Sequence, residues 1–490
     1  MTFKLKVKKG IVFTLIILFQ MITAQTSNAA IKLPAIVSSN MVLQRNTTIE
    51  IWGWAATNEK IEIEASWLEK SETVKADKAG NWRLEIKTTN SKDPQRITLN
   101  SKKSHIVLEN ILFGEVWLCS GQSNMEQPVK GFNGQPTFGA MQAIVNSHNS
   151  NLRLFTVAHK GATSPQNELQ KYTGWQEATP RTVPGFSAVA YFFGQQLQKT
   201  LGVPVGLIHT SWGASTVEAW MSIEALKPYQ KVNPEKVANA KKPNKTPTLL
   251  FNAMLHPLVK YKIKGVIWYQ GEANRFAADA YKKLFPAMVK DWRAHFKIGD
   301  FPFYYVQIAP FGYGRNKPLK NRVNSAYLRE AQLQCLDVIP NSGIAITMDI
   351  GNEMAIHPPK KKEVADRLLY NALNQTYGFK AIDCCSPRYS SFKVEKSSIQ
   401  LSFNNVQTGL YAFHKLAGFE IAGADKVFYP ADAKIVNRKK VVVKSDKVPK
   451  PIAVRYAWTN WIKGTLFDAN LLPSSSFRTD NWKDAKSVAK

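Results

Sequence analysis

Short stretches in which every second residue is apolar occur near both ends of the chain. This alternation is typical of strands that bury one face, and turn signals such as Lys78-Ala-Gly-Asn81 separate the stretches. The clearest examples are Thr48–Trp54, residues 61–65, residues 82–87, residues 398–403 and Lys440–Lys444. We therefore predict an N-terminal β domain over residues 30–110 and a C-terminal β-rich region over residues 386–490.

The pattern changes between these flanks, where buried strand candidates alternate with helical stretches. The strand candidates are residues 115–119, 152–157, 205–210, 264–269, 301–308 and 343–349. Ser187 and Gly202 are suited to cap a helix between them, and Pro286 predicts a kink or break in a later one. Such alternation predicts a mostly parallel sheet covered on both faces, over residues 111–385. Chemistry in such sheets lies in the loops after the carboxyl ends of the strands.

The first residues have the features of a secretory signal peptide. Four lysines between positions 4 and 9 precede an apolar run over residues 11–22, which is too short to span a bilayer. Small residues allow cleavage after residue 24 or after residue 29. We assign residues 1–24 to this signal and expect an exported protein, periplasmic or secreted, without stable membrane insertion.

Composition narrows the class of protein. The 490 residues are 44% hydrophobic and 21% charged, which excludes disorder and coiled coil as descriptions of the whole chain. The formal charge is +29, but no nucleic-acid-binding motif accompanies the basic residues, so no nucleic acid partner is expected. No metal-ligand spacing and no phosphate-binding loop occurs, so we predict no metal and no cofactor. Cys384 and Cys385 are adjacent, and a disulfide between them would be strained.

Three strand candidates end in loops that could carry chemistry. Ser123 follows a strand candidate at a turn containing glycine, where a serine nucleophile would be exposed beside a backbone N–H. Gly213 follows a second candidate and offers a backbone N–H for an oxyanion. After the third, Gln270, Glu272 and Asn274 are unusually polar and require partners or a ligand.

His357 follows the last strand candidate, in the sequence Ala-Ile-His-Pro-Pro. The two prolines fix the backbone, which suits an imidazole that must keep one orientation. Ser123 and His357 are separated by 234 residues (357 − 123), so only the fold can bring them together.

Taken together, these blocks resemble the SGNH hydrolases, and more closely the sialate O-acetylesterases and their acetylxylan-esterase relatives. The resemblance covers nearly all of the chain after the signal peptide. The matching blocks are residues 114–126, 211–220, 268–274, 328–332, 356–364 and 473–480.

The resemblance implies a fold and a mechanism. The fold is α/β, with a flavodoxin-like three-layer core and β-sandwich, jelly-roll-like regions built from both flanks. Ser123 matches the nucleophile and His357 the general base. The backbone of Ser123, the backbone of Gly213 and the amide of Asn274 match the oxyanion hole. The implied reaction removes an acetyl group in two steps through an acyl-enzyme, without a cofactor.

One position departs from the SGNH pattern. Many of these enzymes have an aspartate two or three residues before the histidine, where this chain has Ala355 and Met354. Three alternatives stay open: Glu353 or Asp349 substitutes for it, a backbone carbonyl orients a Ser–His dyad, or the enzyme is impaired.

The expected partner is an acetylated glycan, with sialic acid as one candidate. Gln270, Glu272 and Arg329 are candidate substrate-binding residues, and Arg329 or Arg275 would pair with a sugar carboxylate. The basic surface does not select sialic acid over acetylated xylan or another polysaccharide. A catalytically weak glycan-binding protein is the alternative from a different class, although binding alone would not require all four catalytic candidates.

Overall fold

The computed structural model describes residues 30–315, 324–482 and 486–487. The predicted signal peptide, residues 1–24, lies outside these ranges. The N-terminal region contains seven strands: β1 Val42–Gln44, β2 Thr48–Trp54, β3 Lys60–Ala65, β4 Glu72–Lys75, β5 Asn81–Lys87, β6 Gln95–Asn100 and β7 His105–Gly121. Strands β2 and β5 form an antiparallel pair, and β3 pairs with β4 and β6. The period-2 stretches of the sequence therefore form strands as predicted.

Strand β7 belongs to both the N-terminal region and the core. Its first half pairs antiparallel with β6, and its middle pairs parallel with β1. Its second half is wholly buried and forms the centre of the core sheet. The predicted division at residue 110 falls inside this 17-residue strand.

The core sheet adds six strands: β8 Asn149–Thr156, β9 Gln176–Ala178, β10 Val205–Ser211, β11 Gly265–Tyr269, β12 Phe303–Val306 and β13 Ser342–Ala345. Their spatial order is β13-β12-β11-β7-β10-β8-β9. Every neighbouring pair is parallel except β8 and β9, which are antiparallel. The α/β prediction is confirmed, but the sheet as a whole is mixed, because β9 and the N-terminal strands add antiparallel pairs.

Eight α-helices accompany these strands in the residues described: α1 Ser123–Glu126, α2 Ala140–Val145, α3 Ala188–Leu201, α4 Ile223–Leu226, α5 Pro234–Ala238, α6 Ala278–Phe296, α7 Ala326–Cys335 and α8 Lys361–Asn371. Helix α3 begins as predicted, with the Ser187 hydroxyl accepting from Ala190 N, and ends at Gly202. Helix α6 continues through Pro286, so the predicted break is absent.

Helices lie on both faces of the core sheet because its central strands are apolar on both sides. Trp268 of β11 packs with Trp292 and Phe285 of α6. Its neighbour Ile267 belongs to the opposite cluster, together with apolar residues of α3 and α8. Burying each such side chain contributes about 1.5–3 kcal/mol. This two-sided packing fixes the position of the strand ends, where the loops with polar residues begin.

The C-terminal region contains the remaining strands: β14 Arg388–Glu395, β15 Ser398–Asn404, β16 Leu410–Tyr411, β17 Phe419–Ala422, β18 Val427–Pro430, β19 Asp432–Val436, β20 Lys440–Lys444, β21 Ala453–Tyr456, β22 Phe467–Asp468, β23 Phe477–Arg478 and β24 Lys486–Ser487. They form sheets of four, five and two strands, antiparallel apart from the β18–β24 pair. None of the helices in the described ranges is long and apolar enough to cross a membrane.

Candidate active site

Ser123 lies at the carboxyl end of β7, the strand next to which the strand order of the sheet reverses. Strand β7 is flanked by β10 and β11, which both follow it in the chain, so the connections leave on opposite sides. A crevice at such a switch point is the usual ligand site of an open α/β sheet. The chain turns at Gly121, whose φ is +143° and where a methyl group would lie 2.2 Å from the Tyr269 carbonyl oxygen. Ser123 then begins α1 and is partly exposed between buried neighbours.

Gly213, in the loop after β10, lies directly beside Ser123. A methyl group on Gly213 would be 3.4 Å from the Cβ atom of Ser123. However, the N–H of Gly213 donates to Glu126 Oε2 at 2.5 Å. The other carboxylate oxygen of Glu126 is 3.0 Å from His159 Nε2, and the His159 ring stacks on Trp212 at 4.4 Å. The predicted oxyanion donor is therefore next to the predicted nucleophile but is occupied by a carboxylate.

Asn274 is held in one orientation by the loops around it. Its Oδ1 accepts from Val217 N at 3.0 Å and from Gln270 Nε2 at 2.7 Å. Its Nδ2 donates to Glu218 Oε2 at 3.0 Å, which leaves one amide proton for another acceptor. Gln270 is fully buried and also donates to Ser215 O. The structure thus places Gln270 as a support for Asn274, and not at a substrate-facing surface as we predicted.

His357 lies in the loop between β13 and α8 and is partly buried. Its Nδ1 donates to Gln135 Oε1. The Phe132 ring packs edge-to-face with the imidazole, with 5.3 Å between the two ring centres. Burial, together with the charge of Lys361, lowers the pKa of His357 to about 4, and Glu126 opposes the shift. Among the residues described, Ser123 Oγ makes no hydrogen bond to His357.

A buried network connects the nucleophile turn to the histidine loop. Asn124 Nδ2 donates to Glu272 Oε1 at 2.6 Å and to the Ile356 carbonyl at 3.1 Å. Lys361 Nζ donates to Asn124 Oδ1 at 2.5 Å and lies 5.6 Å from the centre of the Tyr269 ring. Asn124, which directly follows Ser123, is therefore hydrogen-bonded both to the residue before His357 and to the loop after β11.

The charges in this network are perturbed in opposite directions. Burial lowers the pKa of Lys361 to about 7, and Glu272 partly offsets this effect. Burial raises the pKa of Glu272, against the hydrogen bond from Asn124 and the charge of Lys361. Glu272 is only 3% exposed, so the structure places it inside this support and not, as predicted, against a substrate.

Comparison with known proteins decides the family. The family model described as "Carbohydrate esterase, sialic acid-specific acetylesterase" matches residues 113–364, which include all the loops just described. The chain belongs to this family. It is a carbohydrate O-acetylesterase.

Relatives of known name cover almost the whole length of this esterase. The chain is 28% identical to a sialate O-acetylesterase of Homo sapiens, over 93% of this chain and 92% of the relative. It is 26% identical to that of Mus musculus, over 93% and 94% of the two chains. The solved structure of a carbohydrate acetylesterase from Xanthomonas citri is 35% identical, with a TM-score of 0.84, over 92% of this chain and all of that one.

The two carboxylates that the first of the three alternatives named as substitutes for the aspartate lie elsewhere. Both oxygens of Asp349 accept from Arg367, at 2.7 and 2.8 Å. Glu353 is exposed, and its side chain lies beside Gly312. The amide of Gln135 therefore occupies the position at which an acid was expected.

Arg329 is not exposed at the surface of the protein. It is fully buried in α7 and donates to Ser325, Ser476, Ala457 and Thr459. Burial lowers its pKa to about 10. Because its donors are directed to the C-terminal region and its own helix, the predicted contact with a sugar carboxylate is wrong for this residue.

Arg275 is a second cation near the candidate site, besides Lys361. It is half-buried, directly after Asn274, and donates to the Glu272 carbonyl at 2.9 Å. Its guanidinium lies 3.9 Å from the centre of the Phe276 ring and 4.8 Å from that of Tyr313. Phe276 is 64% exposed. An aromatic ring and a cation therefore lie together directly after Asn274.

Sequence reasoning missed four residues that shape the site. Asn124, Glu126 and Lys361 lie inside recognised blocks, but neither spacing nor residue type separated them from their neighbours. Gln135 lies outside those blocks, in a loop with several glycines, and carried no signal.

Proposed function

We propose that this protein is a serine esterase that removes O-acetyl groups from sialic acids or related glycans, with Ser123 as nucleophile and His357 as general base. The observation that carries the proposal is that Gly213 lies beside Ser123 at the switch point of the sheet. A reactive hydroxyl beside a backbone N–H is the arrangement that acyl transfer requires.

The hydrogen bonds of the site support a definite division of roles. Because His357 Nδ1 donates to Gln135, its Nε2 carries the lone pair that can accept the proton of Ser123. The resulting oxyanion would be bound by the N–H groups of Ser123 and Gly213 and by the remaining Asn274 proton. When the tetrahedral intermediate collapses, the sugar hydroxyl leaves with the proton from His357, and the acetyl group stays on Ser123. Water then attacks this acetyl-enzyme while His357 takes its proton, and acetate leaves as that proton returns to Ser123.

The adjacent side chains of Arg275 and Phe276 support an acidic sugar as substrate. A sialic acid carries a carboxylate that the Arg275 guanidinium would bind through two parallel hydrogen bonds, while Phe276 packs on the sugar ring. The mammalian relatives are named for sialate. The Xanthomonas relative is named only as a carbohydrate acetylesterase, so acetylated xylan or another polysaccharide stays the second candidate.

Two further expectations belong to this proposal. We infer a flavodoxin-like, three-layer SGNH core with jelly-roll-like flanks, which the switch-point topology and the two-sided packing support. We also infer export to the periplasm or the medium, directed by residues 1–24. N-terminal sequencing of the protein recovered outside the cytoplasm would test this, since retention of Met1 would contradict it.

Acetate release is the test of the proposed reaction. Purified protein is compared on O-acetylated sialoglycan, acetylated xylan and an aryl acetate, beside Ser123→Ala, His357→Ala and the control Ser398→Ala in β15. We expect both active-site variants to lose activity by at least about 1,000-fold, and the control to keep it. Activity that persists in Ser123→Ala would refute the mechanism. An inert wild type would favour the glycan-binding alternative.

Arg275→Gln tests the substrate separately. If Arg275 binds a carboxylate, KM should rise about 10- to 100-fold on the sialoglycan and stay unchanged on the aryl acetate. Equal changes on both substrates would contradict recognition of an acidic sugar, but would leave the esterase proposal standing.

A further inference from the structure

Two adjacent cysteines lie in the segment that joins the core to the C-terminal sheets. The Sγ atoms of Cys384 and Cys385 are 3.6 Å apart, and both thiols are free. Cys384 is buried, whereas Cys385 is exposed. They form part of the wall of a cavity of about 510 Å³, together with Asp337, Asn341 and Gln375. A molecule that enters this cavity reaches one thiol directly and finds the other behind it.

The two thiols differ in their chemistry. The hydrogen bond from Cys384 lowers the pKa of Cys385 to about 7, against the effects of burial and of Asp383. The same hydrogen bond, together with burial, raises the pKa of Cys384. Gln375 Nε2 lies 3.8 Å from Cys384 Sγ and fixes the inner thiol. The pair thus has an exposed thiol that ionises readily and a protected thiol that can follow it.

We propose that Cys384 and Cys385 are a reversible dithiol–disulfide couple that reacts with small-molecule or protein disulfides through the adjoining cavity. The Cys385 thiolate attacks one sulfur of the oxidant, a mixed disulfide forms, and one thiolate leaves. Cys384 loses its proton to solvent and attacks the Cys385 sulfur, which releases the second thiolate. Two electrons pass from the pair to the oxidant, which becomes two thiols.

The geometry makes this couple labile. Adjacent Cα atoms are about 3.8 Å apart across a trans peptide, whereas relaxed disulfides have Cα atoms about 4.4–6.8 Å apart. The ring that a disulfide between neighbouring cysteines closes would therefore be strained. Strained disulfides are reduced more readily than structural ones. The role is thus that of a switch, since a permanent staple would need relaxed geometry.

The position of the pair indicates what the switch would affect. Asp383 accepts from Asn470 Nδ2 at 2.5 Å, and the Ser386 carbonyl accepts from Asn405 Nδ2 at 3.1 Å. The core is attached on the other side, where Asn374 Nδ2 donates to the Ile382 carbonyl at 2.8 Å. Closing the ring changes the backbone between these anchors, so the joint between core and C-terminal sheets is the element that responds.

The test uses the full chain in buffers of oxidised and reduced glutathione, followed by alkylation and peptide mass analysis. We expect the 384–385 peptide to lose two hydrogens, to resist alkylation and to recover both thiols with excess reduced glutathione. Cys384→Ser should instead accumulate a mixed disulfide at Cys385. Cys119 and Cys335 are buried and serve as internal controls that alkylate only after unfolding.

Two outcomes would overturn the proposal. One is a wild-type protein that keeps both thiols at every glutathione ratio. The other is a wild-type mixed disulfide at Cys385 that never resolves, which would show that Cys384 cannot reach it. Because the measurement on wild type decides the question by itself, the proposal stays testable even if the Cys384→Ser variant does not fold. Esterase activity has no part in this readout.

Discussion

The carboxylate of Glu126 occupies the N–H group that the acetyl oxygen would need. The hydrogen bond from Gly213 N to Glu126 Oε2 is 2.5 Å long, and a hydrogen bond to a charged group contributes about 1.5–3 kcal/mol. An ester carbonyl must displace this carboxylate, or bind with one donor fewer. Glu126→Gln keeps the size of the side chain and replaces the charged acceptor with a neutral one. We therefore expect the free-energy cost of freeing the Gly213 N–H to fall by about 1.5 kcal/mol. This corresponds to about tenfold tighter binding of a ligand that uses this donor.

The assay measures the inhibition constant of an aryl boronic acid, which forms a tetrahedral adduct with a serine nucleophile, together with kcat/KM on an aryl acetate. Glu126→Gln should bind the boronic acid about tenfold more tightly. The control is Glu177→Gln, which removes a partly exposed carboxylate that pairs with Arg153 at 3.2 Å. It should change neither constant.

The second half of the Glu126 interaction provides a test in the opposite direction. His159 holds the other carboxylate oxygen and would keep Glu126 when it leaves Gly213. His159→Gln should therefore weaken boronic acid binding. If Glu126→Gln instead lowers both kcat/KM and inhibitor affinity, the carboxylate assists the transition state, and the reasoning from competition is refuted.

Further predictions concern the pKa of His357 and the roles of Glu353 and Arg329. Gln135→Glu should raise the pKa of His357 from about 4, because a carboxylate favours imidazolium; since only neutral imidazole accepts the proton, the acid limb of kcat/KM should move to higher pH. An unmoved limb would exclude this contact in solution. Lys361→Met should move the limb in the same direction, because its charge adds to the lowering by burial; a limb shifted to lower pH would contradict this. Glu353→Ala should lower the rate far less than His357→Ala, and comparable losses would favour a glutamate-containing triad. Arg329→Met should lower the free energy of unfolding in urea by about 2–4 kcal/mol, since buried acceptors lose their donor; a rise in KM for sialoglycan alone would restore its role in binding.

The framework of the site could be predicted because it follows from the period of the hydrophobic pattern. Buried apolar runs that alternate with helices lead to parallel strands, and parallel strands place their exits at one edge. Ser123 and Gly213 were therefore expected as neighbours although 90 residues separate them (213 − 123), and the structure places them in contact.

The direction of individual side chains could not be predicted in this way. Three residues lie in recognisable sequence blocks: Arg329, Gln270 and Glu272. Membership of a block indicates that a residue is important, but it does not indicate the direction of its side chain. All three are buried and support other residues. The contacts that decide this, such as Ser476 on Arg329 and Asn124 on Glu272, join positions 147 and 148 residues apart. Local pattern contains no information on such pairs.

The missing aspartate has a physical consequence for catalysis. His357 Nδ1 is held by a neutral amide and not by a carboxylate, so burial and the charge of Lys361 lower the pKa of His357 from 6.5 to about 4 with only Glu126 opposing them. Imidazolium is then destabilised by at most about 3 kcal/mol, less after solvent screening, because the ring is partly exposed. In the proposed mechanism the oxyanion forms together with the imidazolium, and its negative charge offsets part of this loss. A site built in this way depends on the oxyanion donors more than a triad does. The competition between Glu126 and the ester for Gly213 should therefore have a larger effect on rate here than in a relative with an acid at Nδ1.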